Sequence, residues 1–65
     1  MKINLQILNI LLAKKCISGY ELMRHAGLQE HTYARIKNGF ENLRPTTVGK
    51  IAKALNVDVE EILQE

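Results

Sequence analysis

One spacing of apolar and polar positions recurs along the chain. An apolar residue is followed directly by a capping residue, and a second apolar residue comes five positions after the first. This is the layout of a helix start closed by a hydrophobic staple. It occurs at Ile3-Asn4 with Leu8, Ile17-Ser18 with Leu22, Leu28-Gln29 with Tyr33, Leu43-Arg44 with Val48, and Val57-Asp58 with Ile62. Ser18 with Glu21 and Asp58 with Glu61 add the spacing of a capping box. Pro45 directly after Arg44 suits the first turn, where a proline loses no hydrogen bond. Gly27 and the Asn38-Gly39 pair suit the left-handed conformation that ends a helix. No stretch alternates apolar and polar residues long enough for a strand. The pattern predicts an all-α fold of five short helices, near residues 4–15, 19–26, 30–38, 45–55 and 59–64. The longest connection is Gly39 to Arg44.

Sixty-five residues, of which 46% are hydrophobic and 5% aromatic, fit one domain over residues 1–65 with a thin core and no room for a deep active site. A single cysteine excludes an internal disulfide and points to a reducing compartment. The longest fully apolar run, Ile10 to Ala13, is far short of the ~20 residues a membrane span needs. No small-residue cleavage site follows the N-terminal stretch, so a cytoplasmic protein is expected. The net charge of +2 says little, but its distribution says more. Between Lys14 and Lys53 stand eight basic residues and three acidic ones, Glu21, Glu30 and Glu41. Beyond Lys53 come only acids: Asp58, Glu60, Glu61 and Glu65. A basic body with an acidic end is a modest footprint for a polyanion.

Only Gly27-Leu28-Gln29 separates the second and third predicted helices. So short a turn, opened by glycine, forces the steep crossing of a helix-turn-helix. The run Ile17 to Leu28 followed by Gln29 to Gly39 resembles the helix-turn-helix of lambda-repressor/Cro-type DNA-binding regulators. The matching features are Leu22, Gly27, Leu28, Thr32, the Arg35-Ile36 pair and the closing Asn38-Gly39. Arg44 to Val48, Lys50 to Val57 and Glu60 to Leu63 are similar to that family's fourth and fifth helices, so the likeness runs in register from residue 4 to 63. It implies a bacterial or phage transcriptional regulator that binds double-stranded DNA as a homodimer on a pseudo-palindromic site. Three positions depart from the family pattern. Gly19 stands where the family carries a backbone-bracing glutamine, leaving that contact to backbone amides near Ser18, Gly19 and Tyr20. Met23 and Ala26 exchange a small and a bulky position, which conserves volume. Tyr33 replaces an aliphatic residue.

Helical geometry gives the third helix two faces. With Glu30 at 0° and ~100° per residue, Ala34, Asn38, His31 and Arg35 fall within the next ~140°. Ile36, Tyr33 and Thr32 fall on the other side, with Lys37 at the border. A helix ~10–12 Å across fits the B-DNA major groove, so the polar arc is the candidate base-reading face. Arg35 can take guanine through two acceptors or hold a phosphate, and Glu30 can accept from the cytosine amino group. His31 can donate to a base or phosphate, and Ala34 can touch a thymine methyl. The bland alternatives are a helix-dipole role for Glu30, a surface ion pair for Arg35 and an idle, exposed His31. The resemblance places Asn38, Asn42, Arg44 and Lys50 against the DNA backbone, where contacts position without specifying. Lys50 and Lys53, three apart, also fit a simple solvated face.

In the first helix Ile10, Ile7, Leu11, Leu8, Leu12 and Leu5 cover ~220°, more than the ~100° stripe a core-facing helix needs. Leu8, Leu11 and Leu12 are assigned to the core. Ile7 and Ile10 are left as a candidate dimer or partner surface, with Leu63 beside them. Such a surface also fits a rival reading, a protein-interaction module of antitoxin or anti-repressor type. An RNA binder would need an aromatic stacking platform. Cys16, His25 and His31 match no usual zinc spacing, and the four glycines form no phosphate loop. No enzyme, metal site, cofactor, membrane association or small-molecule ligand is expected.

Overall fold

The helix starts of the computed structural model are local constructions of side chain on backbone. It describes residues 1–64; Glu65, counted above with the acidic end, lies outside them. The helices are α1 (Leu5–Lys15), α2 (Gly19–His25), α3 (His31–Lys37), α4 (Pro45–Leu55) and α5 (Val59–Ile62). The Asn4 side chain accepts from the amides of Gln6 and Ile7 at 3.1 and 3.2 Å, satisfying donors that a helix start leaves orphaned. Ser18 and Glu21 close a reciprocal box: the Glu21 amide donates to the Ser18 hydroxyl, and the Ser18 amide to the Glu21 carboxylate, both at 3.1 Å. The Asp58 amide donates to Glu61 at 2.9 Å. Two starts depart from the expected capping. Gln29 does not cap α3; Glu30 precedes it in helical conformation, and the Gln29 carbonyl accepts from Thr32 at 3.1 Å. Arg44 is the extended residue before Pro45 and makes no side-chain cap.

Four helices stop by one device. A left-handed residue follows each, at Cys16, Gly27, Gly39 and Asn56. The next amide then donates to the carbonyl five residues back: Ile17 to Leu12, Leu28 to Met23, Phe40 to Arg35 and Val57 to Ala52, at 2.8–3.2 Å. Asn38 itself stays right-handed, so only Gly39 of the expected pair carries the turn.

The core is aliphatic. Leu8 and Leu12 come from α1, Leu22 and Met23 from α2, Ile36 from α3, Ile62 from α5, and Val48, Ile51, Ala52 and Leu55 from α4. Ile3 and Leu43 join them from outside the helices. α4 packs against α2 and α5, α5 against α1, and α3 against α2. Met23 is fully buried and Ala26 half-buried, so the exchanged large residue fills the core.

The chain ends differ from expectation. α5 stops at Ile62 rather than residue 64, and Leu63 pairs with Ile3 in an isolated antiparallel bridge. The Asn4 amide donates to Ile62 at 2.8 Å and the Gln64 amide to Lys2 at 2.9 Å. The short last helix would otherwise leave the Ile62 carbonyl without a partner. On its other side the same N-terminal segment meets the long loop, where the Leu43 amide donates to the Met1 carbonyl at 3.0 Å.

Candidate nucleic-acid interface

Only Ile36 of α3 is buried; Thr32, Tyr33 and Ala34 are half-buried, and His31, Arg35 and Lys37 are exposed. Apart from the half-buried Ala34, the inward set is the one that helical geometry assigns to the core. The outward arc therefore holds exposed Glu30, His31, Arg35 and Asn38 together, with the half-buried Ala34 among them. Glu30 is not alone in solvent: Arg24 of α2 donates to its carboxylate at 3.0 Å, both side chains being more than half exposed. An ion pair this exposed contributes little to stability. It does tie the last turn of α2 to the start of α3.

Beside the arc, on the side toward α4, Thr32, Arg35, Phe40, Asn42, Arg44 and Thr47 line one cleft. Two guanidinium groups, two hydroxyls and an amide converge there, and none of the residues lining it is acidic. The cleft lies at the start of α4, whose first amides carry the positive end of the helix dipole. This is chemistry for an anion. The structure thus brings Arg35, Asn42 and Arg44 together. Lys50 faces elsewhere, lining a separate hollow with His25, Ala26, Lys53 and Ala54.

At the start of α2 the expected backbone contact looks different from its sequence form. The Ser18 amide and hydroxyl are both engaged by Glu21. Those bonds, with Arg24 and His25 nearby, hold the Glu21 carboxyl below its ordinary value. Gly19 is buried because the Tyr33 ring lies across it, and a Cβ at this position would fall inside that ring. Tyr20 is exposed and meets Tyr33 edge-on, with centroids 5.1 Å apart. The missing glutamine and the added tyrosine are therefore one exchange: the glycine makes room for the ring.

Several participants escaped sequence reasoning. Arg24 and Thr47 carry no local signal of their own. Lys37, at the border of the arc, and Phe40, an exposed aromatic just after a helix-ending glycine, were visible but unassigned. Of the candidate association surface, Ile10 is 56% exposed, whereas Ile7 and Leu63 are half-buried and packed against the core.

The Cro/C1-type HTH DNA-binding domain matches residues 7–64, nearly the whole chain. The chain belongs to that family. Its five helices, without a strand among the described residues, are the all-α architecture expected of a Cro/C1-type domain. DNA binding follows as the family's function, and the resemblance read from Leu22, Gly27, Leu28 and Arg35-Ile36 is upheld. Neither the curated proteins nor the solved structures compared with the chain provide a match. Among the described residues of this Cro/C1-type domain, no helix is long and apolar enough to cross a membrane. No three His, Cys, Asp or Glu side chains gather there in a metal-ligating group.

Proposed function

We infer that this domain is a sequence-specific, double-stranded-DNA-binding transcriptional regulator that inserts α3 into the major groove. The observation that carries the reading is the solvent-facing polar arc of α3 standing beside the cleft of Arg35, Asn42 and Arg44. In this arrangement Glu30, His31 and Ala34 face base edges, and Arg35 at the rim takes guanine or phosphate. Asn38, Asn42 and Arg44 hold the DNA backbone, with Lys50 a more distant contact and Tyr20 beside the start of α2. One module reads few base pairs, so useful specificity calls for two copies on half-sites about one helical turn apart. Exposed Ile10 supports a homodimer contact on α1, a narrower surface than Ile7, Ile10 and Leu63 together. The protein then acts in the cytoplasm, on nucleoid DNA.

Selection of bound duplexes from a random pool tests the reading. Enriched sequences with two-fold symmetry support a dimeric operator binder. A pool that stays random in sequence, with no duplex retained, favours the rival protein-interaction module that exposed Ile10 also suits.

A further inference from the structure

The buried core contains no aromatic side chain. The chain has two tyrosines and one phenylalanine, and each of these rings lies against a cation of α3. The Lys37 ammonium sits 5.5 Å from the Tyr33 centroid and 5.9 Å from that of Tyr20. The Arg35 guanidinium sits 5.6 Å from the Phe40 centroid. Neither platform is loose. Tyr33 is wedged over Gly19 and braced edge-on by Tyr20, and the Phe40 amide is bonded to the carbonyl of Arg35 itself.

The two cations are two residues apart, which on a helix separates them by ~160° around the axis. Glu30, Ala34, Asn38 and His31 lie in the arc between them. A helix ~10–12 Å across in a groove ~12 Å wide has a phosphate wall on either flank. A cation held on a ring face keeps its N–H donors for another partner, and a long side chain held in advance loses less freedom when it binds.

We propose that Tyr20, Tyr33 and Phe40 are positioning residues for DNA binding, whose rings hold Lys37 and Arg35 at opposite flanks of α3 as phosphate contacts, one to each wall of the major groove. Base reading then rests on Glu30, His31 and Ala34. The inference builds on the major-groove reading of α3 and settles the role of Arg35, whose cleft it shares with Asn42 and Arg44.

The test is the salt dependence of binding to two duplexes, one of arbitrary sequence and one recovered by selection. Arg35→Ala and Lys37→Ala each weaken both duplexes by the same factor and lower the salt slope by about 0.9. Phe40→Leu weakens binding about two- to fivefold with the slope unchanged, the effect of an exposed cation–ring contact. That loss disappears when Arg35 is already alanine, and the loss from Tyr20→Leu disappears when Lys37 is. Both rings replaced are on the surface, and thermal melting of each variant confirms that it folds. A Phe40→Leu effect of the same size with or without Arg35, or none at all, overturns the platform. So does an Arg35→Ala variant that loses preference at a single base pair alone. A wild-type chain that binds neither duplex overturns instead the reading on which the inference rests.

Discussion

At three of the four helix junctions one apolar residue does two tasks. Ile17, Leu28 and Val57 each donate, through the backbone amide, the closing bond of the preceding helix end, and each is the apolar residue that leads into the next start. All three pack against the core, so the residue that closes one helix also anchors the approach to the next. Between α3 and α4 the tasks are divided. Phe40 closes α3 but stays 38% exposed, while Leu43 staples α4 and is buried. The extra loop releases an aromatic side chain toward Arg35 and carries Asn42 and Arg44 to the same cleft. Where the chain saves residues it builds a scaffold; where it adds them it builds the cleft proposed to meet DNA.

The division predicts unequal costs. Leu43→Ala removes a buried staple and should destabilise by about 2–5 kcal/mol, whereas Phe40→Ala should stay within about 0.5 kcal/mol and lose DNA affinity instead. Denaturant unfolding of the two variants checks the contrast, and equal losses would show that the loop is an ordinary junction. Next in size is Gly19→Ala. Its methyl group meets the Tyr33 ring, and such overpacking costs about 1–3 kcal/mol. Tyr33→Leu in the same chain should recover most of that loss, since the glycine is there to admit the ring.

A smaller effect separates the two kinds of helix end. Cys16 holds a left-handed conformation at φ 55°, which a side chain disfavours, while Gly27 holds one at φ 73° without that penalty. Cys16→Gly should stabilise by roughly 0.5–1 kcal/mol. Gly27→Ala should destabilise by at least as much. Both are read as shifts in Tm.

These ends show how much of the fold was legible. Helix starts at Asn4, Ser18 and Asp58 were visible because a cap is made within three or four residues of chain. Stops at Gly27 and Gly39 were visible because glycine marks the left-handed region by its chemistry. The ends expected at residues 15 and 55 are where α1 and α4 stop, but Cys16 and Asn56 carry no glycine-like mark of the left-handed turn, since the bond that closes each, from Ile17 and from Val57, depends on backbone geometry rather than residue type. The Ile3–Leu63 bridge joins opposite ends of the chain and leaves no local trace. The candidate site divides in the same way. The arc of α3 follows from helical periodicity, but Arg24 on Glu30, Phe40 under Arg35 and Tyr33 over Gly19 depend on how separate elements meet.

The smallest expected effect concerns pH. The Glu21 carboxyl has a lowered pKa in the folded chain because it accepts from Ser18. Its cap bond therefore stabilises the fold fully above the unfolded value of about 4.3. That contribution is lost as pH falls through the folded value. The Tm difference between wild type and Glu21→Gln should narrow on acidification from neutral pH. A difference that stays constant would place the cap's contribution elsewhere.

The central claim is that α3 and its two flanks meet DNA while α1 and α5 do not. Backbone amide shifts recorded during titration with a selected duplex test it residue by residue. The account predicts the largest changes at Glu30 to Asn38 and at Asn42 to Thr47, with Tyr20 also moving and Leu8 to Lys15 near zero. Changes centred on α1 and α5, with α3 silent, would contradict it.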